Sequence, residues 1–403
     1  MTLLMRAERW LAPLLVLVLS SAAKTPAPDQ FTPVVASTLT SGCQPFPGTD
    51  GKRHVVYELV LTNTSPTPAT LKKIEVVDAA NPSRIFASYA DHDLMLRLRS
   101  TGNSAVESPE IEFNNTRLFL IDLAFGSGVA PPSVLAHRIQ LLGASAPSHN
   151  PAKPVPLSYT IAPFKLSLKK LPEIGPPLIG DRWVAINGCC GVAGVHRSTG
   201  FAVNGRISFA QRFAIDWMRL DDKGRMVHGD PADVHNYASY GADVLAVADG
   251  KVVSTLNDLD DQVPGKLPDP KTINIENVDG NHVVLDLGNG VFAFYAHMQK
   301  HSITVAPGDR VKRGQVLGQL GNTGNSSAPH LHFHLMDGPS VLGSSGIPYV
   351  IDSFAFAGQI PEEKFAAAPG VEGDWSDGLL HTPSSRDKQF PMDLTIADFA
   401  GKR

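Results

Sequence analysis

The segment PHLHFHLMD, Pro329 to Asp337, sets histidines at alternate positions: His330, His332 and His334. In an extended strand successive side chains leave on opposite faces, so the imidazoles share one side while Leu331, Phe333 and Leu335 fill the other. Such a row, backed by an apolar face, suits a metal or acid–base site, because imidazole binds zinc when neutral and exchanges protons near neutral pH. Hydrolytic zinc sites use three nitrogen or oxygen ligands and leave a fourth position for water. His332, at the centre of the row, is the expected strand ligand. Asp216, in QRFAIDWM, has the apolar neighbours of a buried strand, where an ionised carboxylate must be paired or bind a cation; an ordinary buried salt bridge meets the same need. His297 sits in the apolar run VFAFYAHM, an odd place for a core filler, although Tyr295 and Met298 can support a buried ring.

The elements that must carry these residues are strands. Between residues 31 and 143, short alternating segments such as HVVYELVLTN, IEFNNTRLFLIDLAF and VLAHRIQLLG are punctuated by turn residues, which predicts an immunoglobulin-like β-sandwich. His54, His92 and His137 stand singly there and read as structural or exposed. Residues 144–182 are rich in proline and read as a semi-rigid connection. From residue 183 to 350, glycine-punctuated runs such as GADVLAVADGKVVS and NHVVLDLGNGVFAFYAHM predict a second all-β unit, and residues 351–403 an irregular extension.

The chain has 403 residues, 43% hydrophobic and 18% charged, enough for two globular units. A formal net charge of −4 gives no footprint for nucleic acid. At the N-terminus, Arg6 and Arg9 precede an apolar run from Trp10 to Leu19 and small residues through Ala23. That reads as a signal peptide over residues 1–23, too short to span a bilayer, so the mature chain is expected to be exported, periplasmic or secreted, with no stable membrane span. Cys43, Cys189 and Cys190 are too few and too scattered for a thiolate zinc site. A bridge from Cys43 to one of the adjacent pair, or a vicinal bridge, both remain open. Neither a GxSxG nucleophile motif nor an HExxH helix is present.

The ordered series GADVLAVADGKVV, YAHM, PGDRVKRGQVLGQLGNTGNS and PHLHFH resembles the lysostaphin/LytM-type zinc metallopeptidases, which hydrolyse peptide bonds in bacterial peptidoglycan. The likeness is dense from Tyr240 to Asp337 and leaves the N-terminal sandwich and the tail uncovered. It implies a LytM-like antiparallel β groove of the duplicated hybrid motif fold. It also implies zinc ligation by Asp216 and His332, with His330 and His297 acting on the reacting water and the substrate carbonyl in interchangeable roles. In the best-known members the first ligand precedes the aspartate by four residues; here that place is Arg212, whose guanidinium cannot bind zinc. The nearest upstream candidate is His196, in GVAGVHRSTGF, brought back by a hairpin of roughly FAVNGRISFAQ. His334 is expected to orient a ligand through its ring N–H, and Asn322 and Asn325 read as turn residues or rim contacts.

The resemblance therefore implies an exported zinc endopeptidase acting on peptidoglycan cross-links. Arg212 motivates the alternative, a non-catalytic wall-binding protein or an activator of another hydrolase.

Overall fold

Alternating apolar and polar residues in the N-terminal half form two five-stranded antiparallel sheets in the computed structural model, which describes residues 29–40, 42–367 and 370–400. One sheet runs Val34–Thr38, Arg53–Asn63, Thr116–Phe125 and Leu98–Arg99, with Phe46–Pro47 joined to Arg53–Asn63. The other runs Val155–Lys165, Val134–Gly143, Ala69–Asp78 and Ile85–Ala90, with Glu110–Ile111 joined to Ala69–Asp78. Their inner faces meet: Tyr57 stacks on Phe164 at 4.2 Å between ring centroids, and its hydroxyl lies 2.8 Å from His137 Nε2.

Residues 144–182, expected to be a semi-rigid connection with one strand over KLSLKK, instead carry the strand Val155–Lys165, which ends where that segment begins. Proline normally interrupts a sheet because it lacks a donor, but this strand is the outermost of its sheet. Its register slips between Ile161 and Phe164, around Pro163, so the missing N–H groups remove little pairing.

The C-terminal half is built on an eleven-stranded sheet. In order it runs Glu173–Ile174, Val350–Gln359, Thr395–Phe399, Gly180–Ile186, Ile215–Arg219, Leu331–Met336, Val291–Met298, Asn281–Gly288, Gly250–Leu256 and Arg310–Val311, with Leu379–Gln389 paired to Val350–Gln359. The extension expected to be irregular after residue 351 therefore supplies sheet strands. Leu379–Gln389 is mostly exposed and carries almost no apolar alternation. Its conformation comes from backbone pairing with its neighbour, which leaves little trace in side-chain pattern. Thr395–Phe399 by contrast is buried against Gly180–Ile186.

From Thr32 onward the chain forms one compact unit, so no gap separates the N-terminal sheets from the large sheet. Cys189 and Cys190 are bonded to each other, and Cys43 is free and buried. Among the described residues no helix is long and apolar enough to cross a membrane. The segment read as a signal peptide lies outside the described residues.

Candidate metal centre

Sheet register brings the first two residues together. Ile215–Arg219 pairs with Leu331–Met336 so that Asp216 stands directly opposite His332, and opposite residues in a ladder point to the same face. His332 Nδ1 lies 2.8 Å from Asp216 Oδ1. His330, just before its strand begins, reaches the same oxygen with Nε2 at 3.3 Å. His334, two residues beyond His332 and fully buried, places Nδ1 3.0 Å from His332 Nε2.

His196 arrives by the route its distance from Asp216 requires. The strands Gly200–Val203 and Arg206–Phe209 pair around Asn204 and Gly205, both at positive φ, which is the turn that an Asn-Gly pair favours. This hairpin returns the chain, and His196, on a single 3₁₀ turn from Val195 to Ser198, sets Nε2 3.3 Å from Asp216 Oδ1. Arg212 points elsewhere. Its Nε and Nη2 donate to the two carboxylate oxygens of Glu58 at 2.9 and 2.6 Å, and Nη1 donates to the Gly346 carbonyl. Arg197, next to His196, donates to Glu58 as well. All three side chains are buried, so one carboxylate from the N-terminal sheets clamps both ends of the segment that carries the hairpin.

His297 needs a local departure from regular strand geometry. Ala296 pairs with His332, so a regular strand would turn the next residue to the opposite face. Between the pairs Val283–Tyr295 and Asn281–Met298 the histidine strand has one extra residue, and His297 adopts φ of 64°. Such a bulge re-aims the side chain, at a cost of about 1–3 kcal/mol for a non-glycine residue at positive φ. The ring returns to the face that carries His332, 4.6 Å from the His330 ring and 5.9 Å from that of His332.

Backbone carbonyls choose the tautomers. His196 Nδ1 faces the carbonyls of Asn187 at 2.7 Å and Ala214 at 3.1 Å, His297 Nδ1 that of Thr323 at 2.7 Å, and His330 Nδ1 that of Ala328 at 2.8 Å. A carbonyl only accepts, so each Nδ1 carries a hydrogen and each Nε2 faces the shared space. Burial and the neighbouring His330 and His332 hold His297 well below the usual imidazole range. Burial brings His332 down to about 4 in spite of Asp216, so both rings are neutral at neutral pH. Burial would raise the Asp216 carboxyl, yet the rings of His196 and His330 hold it well below its ordinary value. Those two rings are in turn raised: burial opposes the shift, and Asp216 overcomes it. The carboxylate therefore draws positive charge to the spot its neighbours enclose.

That spot fits a divalent cation. Donor atoms of His196, Asp216 and His332 lie within 4.8 Å of one another, as do those of His297, His330 and His332. Two nitrogens and a carboxylate oxygen match zinc's preference. For His332 to offer Nδ1, its Nε2 must donate to His334 Nδ1. The other nitrogen of His334 is buried without a partner, so the contact with His332 is the hydrogen bond this ring makes.

Asn187 was not foreseen from the sequence. It follows the strand whose Ile186 pairs with Asp216, and its side-chain amide donates to Asp216 Oδ2 at 2.7 Å while its carbonyl receives His196 Nδ1. An asparagine after a strand is indistinguishable from an ordinary turn residue until the neighbouring strands are in place. Asn322 is fully buried and structural, donating to the Gln262 carbonyl and accepting from Ser326, whereas Asn325 lines the groove. His149, His228, His235, His282, His301 and His381 are not among the residues lining this space. The groove has a volume of about 760 Å³, with Val195, Phe201, Leu267 and Ile275 on its apolar walls.

Residues 233–342 match the family profile described as Peptidase family M23; His196 and Asp216 lie before the matched stretch. The chain is 34% identical over 121 residues to glycyl-glycine endopeptidase ALE-1 of Staphylococcus capitis, covering 30% of each chain. It is 46% identical over 57 residues to peptidoglycan DD-endopeptidase ShyA of Vibrio cholerae, covering 14% of this chain and 13% of that one. Less than a third of the length of either relative is thus spanned. Among solved structures, the catalytic domain of lysostaphin from Staphylococcus simulans aligns with 34% of this chain and 71% of that one, at 25% identity and a TM-score of 0.20.

Proposed function

We propose, from a chain that carries a Peptidase family M23 domain, that this protein is an exported zinc endopeptidase hydrolysing peptide bonds in peptidoglycan cross-links. The carrying observation is the convergence of His196, Asp216 and His332 donors within 4.8 Å, beside two further imidazoles in a groove open to a peptide. The relatives named as glycyl-glycine and peptidoglycan endopeptidases support the substrate class. The N-terminal apolar segment supports export.

His196, Asp216 and His332 would hold the metal, which supplies Lewis acidity toward water and the scissile carbonyl. Asn187 and His334 fix the ligand orientations. His330 Nε2 and His297 Nε2 face the same space. His297, held neutral, offers a lone pair that accepts the proton of the attacking water, and His330, whose protonated form Asp216 favours, donates a hydrogen bond to the oxygen on which charge develops. The apolar walls exclude water from a bound peptide and strengthen both interactions.

The test is cleavage of cell-wall fragments by the purified chain. Chelation and His332→Ala each abolish cleavage, and zinc returns activity to the chelated wild type. Full activity after chelation overturns the proposal.

A further inference from the structure

The groove holds one carboxylate that the mechanism does not use. Asp279 is 7% exposed and lines the same cavity as His297, His330 and His332. Its backbone is pinned from three sides. Its carbonyl accepts from the His297 N–H, the Asn325 N–H donates to Val278, and the Asn281 N–H donates to Thr323 Oγ1. Gly280, at φ of 68°, presses against the Thr323 carbonyl, where a Cβ would stand 2.3 Å from the oxygen. The loop therefore presents Asp279 rigidly.

Its side chain has nothing to meet. Burial alone pushes its pKa up to about 7, with neither a cation nor a hydrogen-bond donor among the described residues to bring it back. Among the described residues no lysine or arginine lines the groove, and the only other carboxylate, Asp216, is already engaged by His196, His330, His332 and Asn187. Leaving a buried carboxylate without a partner is costly, so a fold that presents one rigidly at a cavity wall leaves the partner to come from outside.

We propose that Asp279 is a specificity residue that receives a primary ammonium of the bound peptide, from a diamino-acid side chain or a free α-amine. The inference rests on the groove being the peptide-binding site of the proposed endopeptidase. An ammonium brings the donors that Asp279 lacks, and a hydrogen bond to a charged group contributes about 1.5–3 kcal/mol, at least about tenfold in affinity.

The test measures binding of three short peptides of equal length to the full chain carrying His330→Ala, so that binding is not followed by cleavage. One peptide is capped at both ends and contains lysine, one has a free N-terminus and no lysine, and one is capped and uncharged. At least one amine-bearing peptide binds about tenfold tighter than the uncharged one, and adding Asp279→Asn removes the preference. Which peptide is preferred identifies the source of the ammonium. Equal binding of all three, or a preference that survives Asp279→Asn, overturns the assignment. The melting temperature of Asp279→Asn holds or rises, because an uncompensated buried charge is removed; a marked fall assigns the carboxylate a structural role instead. Turnover of the same peptides by the wild-type chain reports on the endopeptidase reading separately, so either can fail alone.

Discussion

Arg212, at the position where the resembling family carries its first histidine ligand, is held by both carboxylate oxygens of Glu58, at 2.9 and 2.6 Å, in a fully buried pair. Arg197 completes the cluster, and it is the residue after His196. The guanidinium that cannot ligate is part of the clamp that positions the turn carrying His196, the proposed ligand.

Removing that carboxylate leaves two buried guanidinium groups without their counter-charge. Glu58→Gln is expected to lose about 3–5 kcal/mol of stability in urea unfolding, and to bind less zinc because the His196 turn is released. Arg212→His restores the family's spacing on paper, yet leaves buried Glu58 with Arg197 as its one guanidinium partner and is expected to destabilise as well. A Glu58→Gln protein that unfolds like wild type removes the clamp from this account.

Elemental analysis separates ligands from their supports. His196→Ala and Asp216→Ala lose stoichiometric zinc, while His334→Ala retains a site weakened by about 10–100-fold, the usual effect of losing a residue that orients a ligand. Full zinc in His196→Ala shifts the ligand set to His297, His330 and His332, the other group with converging donors.

His297→Ala and His330→Ala are expected to keep the metal and lose about 10²–10⁴-fold in kcat, the range for a single proton-transfer residue. Loss of metal in both variants, with no separate catalytic defect, would make them ligands.

The N-terminal sheets contain a separate pH-sensitive contact. His137 is fully buried, donating Nδ1–H to the Ala162 carbonyl and facing the Tyr57 hydroxyl with Nε2. Burial lowers its pKa from 6.5 to about 4, against the backbone hydrogen bonds that favour its charged form. The unfolded chain therefore binds the proton first as pH falls, and stability declines between about 6.5 and 4, by about 3 kcal/mol in all. The difference in unfolding free energy between wild type and His137→Gln, followed over that window, should shrink toward acid. A constant difference excludes His137 as the cause.

Much of the candidate site could be read from local pattern. The alternation in PHLHFHLMD placed His332 and His334 on one face, and the apolar surroundings of Asp216 marked it as a carboxylate needing a partner. The Asn-Gly turn within FAVNGRISFAQ announced the hairpin that returns His196. Other features left no local mark. The role of Arg212 depends on Glu58, far away in sequence and in a different sheet. Asn187 acts through one amide and one carbonyl, and any turn asparagine looks the same. Of the strands after residue 350, Leu379–Gln389 left no side-chain pattern because its neighbour's backbone specifies it.

The sequence by itself determined an all-β chain, with an imidazole row and a carboxylate suited to a divalent cation, since strand period and side-chain chemistry are local properties. Tertiary structure alone decided which residues converge at the candidate cation site and which way each ring faces. Those outcomes depend on cross-strand register, on the bulge that turns His297 through to the face that carries His332, and on carbonyls from other segments that choose each tautomer. No single stretch of chain encodes a position defined by several strands at once.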